Sequence, residues 1–240
     1  MQKVRSDEIS KYIGSDVYDE FGRQLGTLVA AQSNIDGWVE EVAIKIADKS
    51  IEVVEGDRVK ISDGKVLVVP EWKYEITKLI DNLDRAYKKR KAVEAITGSS
   101  DLPSVVIDPI KKTVEDEIKA LKIKAEEVRK GVVERLRQIE DEELRVAKAL
   151  AMIRIAYFSG EVGERAYNQG VNSLRKVQDA LSEEKKAAKD LLDRLEKILQ
   201  MSAEPAKAEA AKKEEAQAAV EQPAVAQAQT PQALVVKIES

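Results

Sequence analysis

From Val114 onward an apolar residue recurs at Ile118, Leu121, Ala125, Val128 and Val132, in steps of 4, 3, 4, 3 and 4. That is the heptad seam of helices that pack along their length. The stripe resumes at Leu136 and Ile139, passes Glu143, and continues through Val146, Leu150, Ile153 and Tyr157. The extra step of 4 between Val132 and Leu136 resets the supercoil slightly. Taken as one helix from Ile110 to Phe158, the segment is about 70 Å long at about 1.5 Å per residue. Ser159-Gly160 interrupts it, and a second seam runs Tyr167, Val171, Leu174, Gln178, Leu181, Lys185, Ala188, Leu192, Leu195 and Leu199. So short a break predicts an antiparallel helical hairpin. A helix with one apolar stripe is not stable alone, so each must bury its stripe on the other or on another chain. Tyr74 to Ile96 is a further helix, closed by Thr97-Gly98-Ser99-Ser100 and followed by a connection through Leu102-Pro103 and Asp108-Pro109.

Residues 1–72 have a different grain. Leu25–Ala30, Trp38–Ile46, Ile51–Val54, Arg58–Ile61 and Lys65–Val69 are short β-rich runs. Ser62-Asp63-Gly64 between the last two is a hairpin signal, because Gly accepts positive φ. Five or six strands in so short a stretch predict a small closed barrel or a strongly bent sheet. Gly26 inside a strand predicts a bend or bulge, and Pro70 ends the sheet because it cannot donate to a ladder.

Residues 201–229 are mostly Ala, Glu, Lys, Gln and Pro, with few large apolar groups to offset chain entropy, and read as a disordered linker. The character changes in residues 230–240. Leu234, Val235, Val236, Lys237 and Ile238 form a strand-prone peptide with no local core to join. The fold class is therefore multi-segment α+β: an N-terminal β-barrel (1–72), a long antiparallel helical coiled coil (73–200), a disordered linker (201–229) and a short β-prone peptide (230–240).

Composition narrows the chemistry. Charged residues make up 35% of the chain and aromatics 4%, which suits long helices better than a thick core. The chain has no Cys and no His, which removes disulfides, thiolate nucleophiles, His-based triads and nearly all structural zinc sites. No Walker, Rossmann or metal-loop motif is present, so no catalytic residue, metal site or cofactor is expected. Paired carboxylates such as Glu40-Glu41 and Glu142-Glu143 read as surface groups. Many Lys and Glu residues without Cys fit a hot habitat. The start has no apolar h-region and no stretch is long enough to span a bilayer, which predicts a cytoplasmic chain. Residues 1–72 carry 9 basic and 14 acidic groups and residues 73–200 carry 27 and 24, so nucleic-acid binding would need a local patch. The densest basic run is Lys88-Lys89-Arg90-Lys91, a solvated helix face or a contact for the phosphates of DNA or anionic lipid.

Ile13-Gly14-Ser15-Asp16-Val17-Tyr18-Asp19-Glu20-Phe21-Gly22-Arg23-Gln24-Leu25-Gly26-Thr27-Leu28-Val29 resembles the opening of a PRC-barrel domain. Such barrels also occur in ribosome-maturation factors, so an RNA- or ribosome-associated assembly factor is the alternative reading; the acidic balance of residues 1–72 counts against it. With the coiled coil and the Leu234–Ile238 peptide, the whole arrangement resembles the CdvA family of archaeal cell-division proteins. The resemblance implies a non-enzymatic scaffold that polymerises into filaments and associates with DNA and membrane at the mid-cell division site. It also implies recruitment of an ESCRT-III-like partner, CdvB, through the C-terminal peptide. The coiled-coil seam expected to hold the stalk, and some contact between copies, comprises Val114, Ile118, Leu121, Val128, Val132, Leu136, Ile139, Leu150, Ile153, Leu174, Leu181, Leu192, Leu195 and Leu199.

Overall fold

The computed structural model describes residues 3–46, 50–99 and 103–201; of the linker expected over 201–229 only Met201 is described, as the last described residue of a helix, and the rest of it and the terminal peptide lie outside these. A short helix, α1 (Ser6–Ile9), precedes the strands β1 (Asp16–Asp19), β2 (Gln24–Ser33), β3 (Val39–Ile46), β4 (Ser50–Glu55), β5 (Val59–Ser62) and β6 (Lys65–Val68). Three long helices follow: α2 (Glu71–Ser99), α3 (Ser104–Phe158) and α4 (Glu164–Met201).

The strands form one sheet in the order β4-β3-β2-β1-β6-β5. All pairs are antiparallel except β1 with β6, which run parallel. Val17, Leu28, Val42, Ile44, Val54, Val59, Val66 and Val68 point inward and are joined by Val4 and Ile9 from the N-terminal segment. Alternate positions face outward, as the period of a strand requires. The Asp-Gly hairpin between β5 and β6 has φ of 51° at Asp63 and 72° at Gly64, the two positive values of a type I′ turn.

The closed barrel is a correction. Among the described residues β4 and β5 remain edges with no ladder between them. The reason is local. A single 3-10 turn, Gly56–Arg58, joins these two strands directly, so the chain turns a corner at the point where closure would need a hairpin. The expected bend at Gly26 is present: the register of β1 against β2 slips beside it, and Val17 faces Gly26 while Tyr18 faces Gln24. The strand also passes very close to β3 there. A Cβ on Gly26 would collide with the Lys45 carbonyl oxygen.

The helical part departs from a two-helix hairpin in one respect. Ile76, Leu79, Ile80 and Leu83 of α2 pack with Ala125, Val128 and Val132 of α3 and with Ala188, Leu191 and Leu195 of α4. The proximal part is thus a three-helix bundle. Farther along, Ile139, Val146 and Leu150 of α3 pack with Leu174 and Leu181 of α4, and Tyr157 stacks on Tyr167 with ring centroids 4.4 Å apart beside the reversal. That reversal is capped where Ser159-Gly160 interrupts the pattern: Glu161 N and Val162 N both donate to the Ala156 carbonyl. α3 begins at Ser104, ahead of the expected Ile110, and carries Pro109 within it. Its 55 residues span about 82 Å at about 1.5 Å each.

Gly26→Ala is expected to destabilise the fold by about 1–3 kcal/mol, the usual cost of forcing backbone shifts in a packed region. Chemical denaturation followed by circular dichroism measures it; an unchanged midpoint would show that β2 and β3 can move apart freely.

Candidate functional site

The densest polar constellation lies where the sheet meets the helices. Asp19 ends β1 and is buried. Its Oδ1 accepts the backbone N–H groups of Phe21 at 2.9 Å and Arg23 at 2.8 Å, which shapes the turn. Its Oδ2 accepts Arg23 Nε at 2.6 Å. Arg23 is thereby aimed toward α4, where its Nη2 lies 2.8 Å from Glu184 Oε2. Pro70 ends the sheet and starts α2, because its carbonyl accepts Lys73 N and Tyr74 N. This places Trp72 so that its Nε1 donates to Glu184 Oε1 at 3.1 Å. From α3, Arg135 grips the same carboxylate in a fork, Nε to Oε1 at 2.9 Å and Nη2 to Oε2 at 3.0 Å. Arg135 also donates to Glu142 at 2.9 Å.

Glu184 is 1% exposed. Burial pushes its carboxyl up, but the Arg135 hydrogen bond and the charges of Arg23 and Arg135 outweigh that, and the group is held below the ordinary glutamate value. Arg135 is held correspondingly above the ordinary range by the Glu184 bond, against its own burial. A second joint flanks the first. Glu20 takes Lys60 Nζ at 2.6 Å and Lys73 Nζ at 2.7 Å, tying the β1–β2 turn to β5 and α2. Arg23 and Lys73 both lie over the Phe21 ring, 5.6 and 5.2 Å from its centroid.

A cavity of about 230 Å³ adjoins the joint, lined by Ile44, Val54, Trp72, Arg135 and Glu184 among others. Four of its ionic groups, Asp19, Arg23, Arg135 and Glu184, are bonded among themselves. No nucleophile with an adjacent base is present there, and among the described residues no cluster of acidic groups could hold a metal. The arrangement is suited to fixing one element against another.

The seam positions are all buried or half-buried: Val114, Ile118, Leu121, Val128, Val132, Leu136, Ile139, Leu150, Ile153, Leu174, Leu181, Leu192, Leu195 and Leu199. They do not all face one helix. Val114 and Ile118 pack on Ala86 of α2. Two polar seam positions that read as interruptions face each other, with Lys185 Nζ 2.7 Å from Glu143 and 3.4 Å from Glu140. Gln178 is exposed. In the basic run, Lys88 pairs with Asp84, Lys89 with Glu117 and Arg90 with Glu94, while Lys91 is exposed and has no partner among the described residues. Leu234, Val235, Val236, Lys237 and Ile238 lie outside the described residues. No described helix is long and apolar enough to cross a membrane.

Sequence reasoning missed Glu184, Arg135 and Arg23 as a set. Each looks like one of many surface charges. The available signal was Asp19 in the tight Asp19–Gly22 turn, whose carboxylate must point inward to cap it.

The family model of a CdvA-like coiled-coil domain matches residues 71–218. The chain is also 29% identical over 190 residues to "Cell division protein A" of Sulfolobus acidocaldarius, covering 78% of this chain and 79% of that protein. No solved structure matches.

Glu184→Gln is expected to destabilise the chain by about 3–5 kcal/mol, because Arg135 and Arg23 are left without their counter-charge. A depressed carboxyl contributes stability above its unfolded value, near about 4.3, and loses it as pH falls through the folded value. Urea midpoints measured from neutral to acid pH should therefore fall less steeply for Glu184→Gln than for wild type. Parallel curves would contradict the assignment.

Proposed function

The chain belongs to the CdvA-like coiled-coil family, and from that premise we propose that it is a non-enzymatic, self-assembling scaffold of an archaeal cell-division machinery. The observation that carries this reading is the Glu184 joint, which clamps a small sheet to a long helical hairpin through groups bonded to each other. A rigid arm with a folded module held at a set angle is the form of a structural subunit. The segments then divide the work: the sheet (1–72) and stalk (73–200) assemble, residues 201–229 act as a tether, and residues 230–240 recruit.

Recruitment is assigned to Leu234, Val235, Val236, Lys237 and Ile238, adding a strand to an ESCRT-III-like partner of the CdvB kind. Leu234, Val236 and Ile238 fall on one face by the period of a strand. Burying each aliphatic side chain is worth about 1.5–3 kcal/mol, enough for roughly micromolar binding after ordering costs. A flexible tether of 29 residues has an r.m.s. span of about 30 Å. DNA and an anionic membrane surface are the further partners assigned, through phosphate contacts that include Lys88, Lys89, Arg90 and Lys91.

Deleting residues 230–240, or combining Leu234→Asp with Val236→Asp, should abolish co-sedimentation of the ESCRT-III-like partner and leave light scattering by self-assembly intact. Partner capture by either variant would remove the peptide from its role. Replacing Lys88, Lys89, Arg90 and Lys91 with Ala should weaken DNA binding and flatten its logarithmic salt slope by about 0.9 for each phosphate no longer neutralised. A slope equal to wild type would move the phosphate-binding groups to other residues.

A further inference from the structure

Two surfaces of this chain are apolar and exposed, one bordered by basic side chains and the other by a pair of facing carboxylates. The first is on the distal part of α3. Leu144, Met152, Ile155 and Phe158 are 61–84% exposed. At about 100° per residue they lie on the side of the helix opposite Val146, Leu150, Ile153 and Tyr157, which face α4. Lys148 sits within this second stripe, and Arg145 and Arg154 border it on either side. None of the three has an ion pair among the described residues. Residues 144–178 carry six basic and two acidic groups, in a chain whose net charge is −4.

The second surface is the outer face of the sheet at its β4 edge. Val54, Val42 and Ile44 point into the core, so Ile51 and Val53 point away from it, and they are 67% and 59% exposed. Glu41 stands directly opposite Glu55 across the β3–β4 ladder. Like charges in that position are unfavourable unless something cationic lies over them. Neither forms an ion pair among the described residues, although the charge of Lys78 reaches Glu55. Lys45 is beside Ile51 at the far end of the patch.

The geometry points to a second copy of this chain as the occupant: the distal stripe of α3 in one copy docks on the outer β3–β4 face of the next. A helix stripe laid on an exposed sheet face is a standard two-layer solution for burying both. The charges select the pairing. Stripe against stripe would oppose Arg145, Lys148 and Arg154 to themselves, and face against face would oppose Glu41 and Glu55 to themselves, whereas stripe against face brings opposite signs together. The contact cannot form within one chain. The stripe begins nine residues beyond the Arg135 level and extends to the tip, about 14–35 Å along the helix, whereas Ile44 and Val54 line one cavity with Arg135 and Glu184, so that Ile51 and Val53 point the other way and Glu55 at the strand end borders Tyr74 and Lys78 of α2. Because the two surfaces differ, the contact is heterologous and repeats from copy to copy, which generates rings or open filaments. This inference rests on the self-assembly reading and assigns its interface.

The test uses the full chain and two charge-reversed variants: a stripe variant (Arg145→Glu, Lys148→Glu, Arg154→Glu) and a face variant (Glu41→Lys, Glu55→Lys). With helicity by circular dichroism equal to wild type, each alone should raise the concentration needed for assembly by at least about tenfold, since like charges then meet across the contact. An equimolar mixture should assemble again near the wild-type concentration, because each reversed stripe finds a reversed face. Ile155→Ser with Phe158→Ser should weaken assembly and not be rescued by mixing. Wild-type-like assembly of both charge variants, or folded variants that fail to rescue each other, overturns the inference and leaves self-assembly standing. A wild type that stays monomeric in light scattering yet binds phosphatidylglycerol vesicles through the stripe overturns both, and assigns the stripe to lipid.

Discussion

One carboxylate holds the parts of this chain in their relation to each other. Glu184 accepts from Trp72 at the start of α2, from Arg135 on α3 and from Arg23 at the turn of the β1–β2 hairpin, while itself standing on α4. Four elements far apart in sequence therefore converge on two oxygens. A buried charge so arranged is weak as a source of net stability, because desolvation offsets much of the attraction. Its value is directional. An apolar contact between sheet and helices would tolerate sliding, whereas the Arg135 fork and the indole donor fit one geometry only. The neighbouring Glu20 joint to Lys60 and Lys73 adds a second fixed point, and two points define an angle.

Much of the helical part could be read from periodicity, since a heptad seam needs only the order of residues along one helix. Which helix fills which length of the seam depends on where each one ends. The early seam at Val114 and Ile118 is covered by Ala86 of α2, not by α4, among the described residues. The strand order was not readable either. β1 lies between β2 and β6, and its parallel pairing with β6 joins residues about fifty positions apart. Closure fails at a single 3-10 turn that no alternation pattern reveals.

The candidate site was hidden for a related reason. The seam period marks Lys185 as the anomalous inward residue, and Lys185 does lie at the interface, paired with Glu143. Its neighbour Glu184 is the one fully buried. It faces a layer, sheet plus α2, whose position over α4 is set by contacts 49 to 161 residues away in sequence, as with Arg135 and Arg23. A one-dimensional stripe describes a helix with one partner face; α4 has two. Asp19 was the accessible clue, because a tight turn whose first residue is Asp directs that carboxylate back onto its own backbone.

The ionic groups fall into two populations with different consequences. Those at the joint neutralise each other: Asp19, Glu20 and Glu184 meet Arg23, Arg135, Lys60 and Lys73 within hydrogen-bond distance, so they set geometry and project little field. Those on the distal stripe of α3 are basic and form no ion pair among the described residues, whereas the outer sheet face carries the Glu41–Glu55 pair, with the charge of Lys78 reaching Glu55 and Lys45 at the far end. Exposed charges act over about 8–10 Å at ordinary ionic strength, far enough to orient an approaching surface and too short to couple the two ends of one stalk. The same rigid joint that removes freedom from the sheet therefore fixes the direction in which each of these surfaces is presented, and a contact that repeats from copy to copy needs that direction to be constant.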